Sequence, residues 1–152
     1  MKSQIILCSG GARSGKSEFA ERLALATEGR KAYVATGQAF DDEMVDRIKK
    51  HQERRGNIWT NFEIPLYLAE EWQHISSVAD VILIDCLTMF TTNHMMAHGS
   101  IQGQKDANRL EDMVLSELEA LLNLIKVSDD KIVIFVTNEI GLGIVPDNKL
   151  AR

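Results

Sequence analysis

Three glycines, three serines and a lysine crowd into residues 8–19, CSGGARSGKSEF, directly after the short apolar run QIIL (4–7). Gly10, Gly15, Lys16 and Ser17 meet the spacing G-x-x-x-x-G-K-[ST], with Gly11, Ala12, Arg13 and Ser14 filling the interval. The chemistry that suits this spacing is the holding of a nucleotide's phosphates. Glycines let backbone N–H groups turn inward around phosphate oxygens, the lysine bridges the outer phosphates, and the serine hydroxyl can ligate Mg²⁺. A helix that starts near Ser17 would also point the positive end of its dipole at the anion. A glycine-rich turn is the bland alternative, but it does not call for a strand before it and a helix after it, and this sequence supplies both.

A phosphate loop of this kind works with a carboxylate at the end of a buried strand, which holds Mg²⁺ directly or through water. Asp85 closes the run DVILID (80–85) and is the candidate, with Ser17 as the second metal ligand. Glu139, at the end of the last apolar run, is expected on the same sheet edge; as a turn or helix cap it would be equally well explained. NKLA at 148–151 tempts toward the guanine-reading N-K-x-D pattern of switch GTPases. Position 151 is Ala, no carboxylate is available for the guanine edge, and that reading fails.

The elements that would position these groups follow from periodicity. QIIL (4–7), KAYVA (31–35), DVILID (80–85) and KIVIFVT (131–137) are continuous β-rich runs of the kind buried on both faces. Between them lie helical patterns. Residues 17–28 align Phe19, Ala20, Leu23 and Ala24 and stop before Gly29; residues 41–54 place Met44, Ile48 and His51 at steps of four and three. Residues 67–76 align Leu68, Trp72 and Ile75, and residues 106–126 carry Leu110, Val114, Leu118, Leu121, Leu122 and Ile125. Strands alternating with helices predict right-handed crossovers and a mostly parallel sheet covered by helices on both faces. Ligands then belong at the carboxyl ends of the strands, where the phosphate loop lies.

Length and composition set outer bounds. The 152 residues read as a single domain over 1–152, with a core of its own. The net charge of -5 gives no general pull toward nucleic acid or anionic lipid, so any anion site must be local. No stretch approaches the roughly 20 apolar residues of a membrane span, and the opening run is too short for a signal peptide, so a cytoplasmic protein is expected. Cys8 and Cys86, each at the end of an apolar run, read as buried free thiols. His94 and His98, at i and i+4, read as helix surface, and Lys49, Lys50, Glu53, Arg54 and Arg55 as a solvated helix face, with Lys50 and Arg55 within reach of a nucleotide as the alternative. Met89, Met95 and Met96 read as core packing, with a soft apolar surface for a ligand or a neighbouring subunit the less plain alternative.

Four ordered blocks carry a resemblance: GGARSGKS (10–17), DDEMVDRIKKHQERR (41–55) followed by Trp59, DCLTMFTTN (85–93) and VTNEIGLGIVPDNKLAR (136–152). Along nearly its whole length the chain resembles the adenosylcobinamide kinase / adenosylcobinamide-phosphate guanylyltransferase family of cobalamin biosynthesis. The resemblance implies a three-layer, RecA-like P-loop NTPase fold and two reactions. A nucleoside triphosphate, ATP or GTP, phosphorylates adenosylcobinamide, and GMP is then transferred from GTP onto that phosphate with release of pyrophosphate. It implies adenosylcobinamide and its phosphate as partners, Mg²⁺ as cofactor and a homotrimer. It also implies a histidine nucleophile in the segment Arg47-Ile48-Lys49-Lys50-His51, which makes His51 the residue that carries GMP. Spacing alone reads His51 as a partly buried histidine on the Met44 and Ile48 stripe, whereas helical geometry independently sets Arg47 one turn before it, able to steady the α-phosphate. The family continues past NKLAR, so a C-terminally truncated domain is expected. Two other readings remain: a P-loop kinase of another small alcohol, which gives no reason for a reactive His51, and a non-catalytic nucleotide-binding remnant.

Overall fold

Four apolar runs and one mixed segment form a single parallel sheet, because a strand buried on both faces can be joined to a parallel neighbour only through a crossover that covers one face. The computed structural model describes residues 1–11, 14–37, 42–98 and 102–139, with the side chains of Met44, Arg47 and His51 outside that description. Ala12, Arg13 and the NKLA stretch therefore lie outside the described residues. In chain order the elements are β1 (Gln4–Gly10), α1 (Lys16–Leu25), β2 (Lys31–Ala35), α2 (Asp42–Arg55), β3 (Trp59–Glu63), α3 (Leu68–Val78), β4 (Val81–Asp85), α4 (Leu87–Ala97), α5 (Gln104–Val127) and β5 (Ile132–Asn138). The strand order is β1-β5-β4-β2-β3, with every pairing parallel.

Alternation within each strand sorts the core into two halves. Ala32 and Val34 of β2, Ile82 and Ile84 of β4, and Val133 and Phe135 of β5 face α3, α4 and α5; there they meet Leu68, Trp72, Ile75, Phe90, Leu110, Val114, Leu121 and Ile125. The intervening residues, Tyr33, Val81, Leu83, Ile134 and Val136, turn to the other face, where Ala20 and Ala24 of α1 lie against them. Three layers result. The helical stripes read at α3 and α5 are the buried ones, with Leu118 and Leu122 partly covered. On α1 the two alanines form the buried contact and Phe19 faces outward, because a helix lying this close to a sheet has room for small side chains only.

Three expectations need correction. Strand β1 is not buried on both faces: it is the last strand of the order, and Ile5 and Leu7 are 42% and 61% exposed. Strand β3, WTNFE, escaped the periodicity because an edge strand with three polar residues shows no continuous apolar run. His94 is not on the helix surface but 5% exposed, its ring edge-on to Phe90 and its Nε2 3.1 Å from the Leu66 carbonyl oxygen. Both cysteines are free and buried, as read.

Candidate active site

The all-parallel sheet brings the carboxyl ends of its strands to one edge, and the register aligns the chemistry there. Asp85 pairs with Val136 of β5, which in turn pairs with Cys8 of β1; Gly10 pairs with Asn138 two positions further along. The phosphate loop and Asp85 thus leave the same edge on strands separated by β5, whose end carries Glu139.

The loop folds back on its own carbonyls. The N–H of Ser14 donates to the Gly11 oxygen at 3.2 Å, and Lys16 Nζ donates to the same oxygen at 3.2 Å. Gly15 caps α1 at φ 84°, a left-handed conformation that a side chain would strain, so the last glycine of the motif is the one the turn cannot spare. Glu139 is tied to the start of the loop: its N–H donates to the Gly10 oxygen at 2.8 Å and its Oε1 accepts from the Ser9 hydroxyl at 2.9 Å. It braces the strand end, and its side chain is exposed.

A cavity of about 770 Å³ opens in front of this edge, walled by Lys16, Ser17 and Glu21 of α1, by Asp85, and by Ile48, Arg54 and Arg55 of α2. Ser17 and Asp85 therefore share one space. A hydroxyl and a carboxylate are hard oxygen donors, and Mg²⁺ bound together with substrate phosphates needs only one or two protein ligands, so the pair fits that ion. On α2, Ile48 and Arg55 both line the cavity, and His51 holds the backbone position three residues after the one and four before the other.

Several contributors were not anticipated. Tyr33 donates its hydroxyl to Asp85 Oδ2 at 2.6 Å. Burial, reinforced by the charge of Asp85, pushes the Tyr33 hydroxyl well above its usual range, so it stays a donor. Arg55, read as solvated, is the buried end of its helix. Its guanidinium lies 3.6 Å from the Tyr33 ring centroid, its Nε donates to Asn61 Oδ1 at 3.2 Å, and its Nη1 faces Glu21 at 3.7 Å. Arg54 reaches the other oxygen of Glu21 at 3.2 Å, whereas Lys50 stays in solvent beside Asp46. Thr36 latches the site from behind: its hydroxyl donates to the Cys86 oxygen at 2.6 Å and accepts from the Cys86 N–H at 2.8 Å. Cys86 Sγ in turn accepts from Met89 N–H at 3.4 Å and caps α4, and burial raises its thiol pKa. One signal for Tyr33 was present in the sequence, since a tyrosine inside a buried strand needs a partner for its hydroxyl.

Replacing Arg55 with alanine is expected to lower stability by about 2 kcal/mol, because it takes the cation off the buried face of Tyr33 and leaves Glu21 with the more exposed Arg54 alone. Urea denaturation of the two proteins checks this; a loss below about 0.5 kcal/mol would mean that Arg55 is no clasp.

A parallel sheet with helices on both faces and a strand–phosphate loop–helix at its carboxyl edge defines a P-loop NTPase domain of the RecA-like kind. An ATPase from the type III secretion system of pathogenic bacteria has this fold, superposing with a TM-score of 0.60 at 11% identity over 97% of this chain and 46% of that one. The sequence model of the cobinamide kinase / cobinamide phosphate guanyltransferase family matches residues 6–152, and the chain belongs to that family. It is 36% identical to the bifunctional adenosylcobalamin biosynthesis protein CobU of Escherichia coli K12, over 97% of this chain and 82% of that protein. It is 40% identical to the corresponding CobP of Pseudomonas aeruginosa, over 96% and 78%. Among the described residues no helix is long and apolar enough to cross a membrane.

Proposed function

We propose that this chain catalyses both family reactions, phosphorylating adenosylcobinamide with ATP or GTP and then capping the phosphate with GMP, with one cavity serving both. The observation that carries the reading is that Lys16, Ser17, Asp85 and the inner face of α2 all open into a single space of about 770 Å³. In the first reaction the substrate hydroxyl attacks the γ-phosphorus and the bond to the β-bridging oxygen breaks, leaving a nucleoside diphosphate. Gly10 to Ser17, including Ala12 and Arg13, cradle the phosphates, and Lys16 neutralises the charge that builds on them. Mg²⁺, when bound, spreads the developing charge on the phosphate oxygens; Ser17 and Asp85 are the residues that would hold it.

In the second reaction a neutral His51 nitrogen attacks the α-phosphorus of GTP, expelling pyrophosphate and leaving a phosphoramidate. An oxygen of the cobinamide phosphate then attacks the same phosphorus and breaks the P–N bond. Arg47, one turn before His51, steadies the α-phosphate. Glu139 acts through the loop it braces rather than on the nucleotide. Nucleoside triphosphates are cytoplasmic pools, so the cytoplasm is the proposed compartment, with a homotrimer as the proposed assembly by family resemblance.

Incubation with GTP labelled at the α-phosphate tests the reading: a covalent label together with cobinamide turnover supports it, turnover without label reduces the protein to a kinase, and neither makes it a remnant. Asp85→Asn is expected to lower both activities on the order of 100-fold while the fold survives. An unchanged Mg²⁺ dependence of turnover in that variant removes Asp85 from the metal site.

A further inference from the structure

Asp85 is a carboxylate on a short side chain whose terminal torsion has broad, poorly separated preferences, so nothing intrinsic fixes the direction its oxygens face. In this structure one oxygen is committed. The Tyr33 hydroxyl donates to Oδ2 at 2.6 Å, from the neighbouring strand, where Ala35 is the residue paired with Asp85 and Tyr33 lies two positions back. Among the described residues this is the only hydrogen bond that the Asp85 side chain makes, and Oδ1 is left free in a residue that lines the cavity.

Tyr33 is itself held on both sides. Its ring is buried edge-on to Trp59 at a centroid distance of 6.0 Å, and the Arg55 guanidinium covers it. Arg55 is fastened to β3 through Asn61 and to α1 through Glu21. The direction of the Asp85 carboxylate is thus set by contacts that begin on α1, α2 and β3, two of them elements that also wall the cavity.

We propose that Tyr33 is a positioning residue for Mg²⁺-nucleotide binding: by engaging Oδ2 it presents Oδ1 of Asp85 to the metal or its water shell. The inference rests on the reading of Asp85 as the metal-side carboxylate. Tyr33 does not contact substrate in this account; it acts through Asp85.

Calorimetric binding of guanosine 5′-(α,β-methylene)triphosphate, with Mg²⁺ and with EDTA, tests it without turnover. The methylene bridge blocks attack at the α-phosphorus, and no γ-phosphoryl acceptor is present. Tyr33→Phe keeps the ring, and with it the contacts to Trp59 and Arg55. The Mg²⁺-dependent tightening of binding is expected to shrink roughly three- to tenfold in this variant, with affinity in EDTA within about twofold of the wild type. Equal weakening under both conditions would make Tyr33 a packing residue only, and tightening that is unchanged or increased would equally overturn the proposal. The Asp85→Asn arm separates the two layers: if it leaves the tightening intact, the metal reading of Asp85 fails and the Tyr33 proposal with it. If it abolishes the tightening while Tyr33→Phe does not, Tyr33 alone is excluded. In the double variant the tyrosine change should add nothing to the loss seen in Asp85→Asn, whereas multiplying effects would show that the residues act separately.

Discussion

Lys16→Ala is expected to depress cobinamide phosphorylation and guanylyl transfer together, each on the order of 10²–10³-fold in kcat/KM, with weaker binding of ATP and GTP. Both reactions need a positive charge on the outer phosphates, whichever phosphorus is attacked. Among the described residues the Lys16 amine makes one hydrogen bond, to the Gly11 oxygen of its own loop, and Lys16 lines the cavity that Ser17 and Asp85 share. Because the side chain is only half-buried and supports nothing beyond that loop, its loss should leave the melting temperature close to that of the wild type. Steady-state rates of the two half-reactions, measured on one preparation, decide the matter. Phosphorylation at the normal rate would exclude Lys16 from the site.

His51→Ala is expected to split the two activities. The covalent GMP adduct and guanylyl transfer should fall on the order of 10³-fold or more, since removing a nucleophile removes the intermediate. Phosphorylation should stay within about threefold, because a loose phosphoryl-transfer transition state asks the protein for positioning and charge rather than for a nucleophile. The wild-type adduct should behave as a phosphoramidate, labile to acid and stable to base, and should map to the peptide containing Lys50-His51-Gln52. An adduct that persists in the variant, or a label on Lys16 or Lys50, would reassign the intermediate to a lysine.

How far these assignments were legible in the sequence depended on range. The strand–loop–helix around residues 10–17 was legible because its pattern is written in consecutive positions, and the place of Asp85 at the end of β4 because a carboxylate that ends an apolar strand is a local pattern. The stripes at Leu68, Trp72 and Ile75 and along 110–125 were legible for the same reason: helical period is a property of one segment. Strand β3 was not, because the partner that makes WTNFE a strand is β2, and a polar edge strand owes its form to pairing rather than to its own composition. Arg55 was misread since an arginine at a helix end is ordinarily solvated, and nothing near it in sequence says that Tyr33 will lie beneath its guanidinium. The Tyr33–Asp85 contact spans 52 positions and exists only because β2 and β4 become neighbours. His51 stands apart: its expected role came from resemblance, and the structure shows only that its backbone lies within α2.

Among the described residues strand β1 pairs only with β5, Gln4 with Ile132 and Gly10 with Asn138, so each of these pairings joins positions 128 apart. The β2–β3 and β2–β4 pairings need nothing beyond residue 85. On a ribosome adding about 5–20 residues per second, roughly 6–25 seconds separate β1 from its partner β5, while the β2–β3 and β2–β4 pairings become available in between. Long-range parallel pairing of this kind is slow to nucleate. The contacts from Glu139 to Gly10 and Ser9, which brace the start of the phosphate loop, belong to the same long-range pairing.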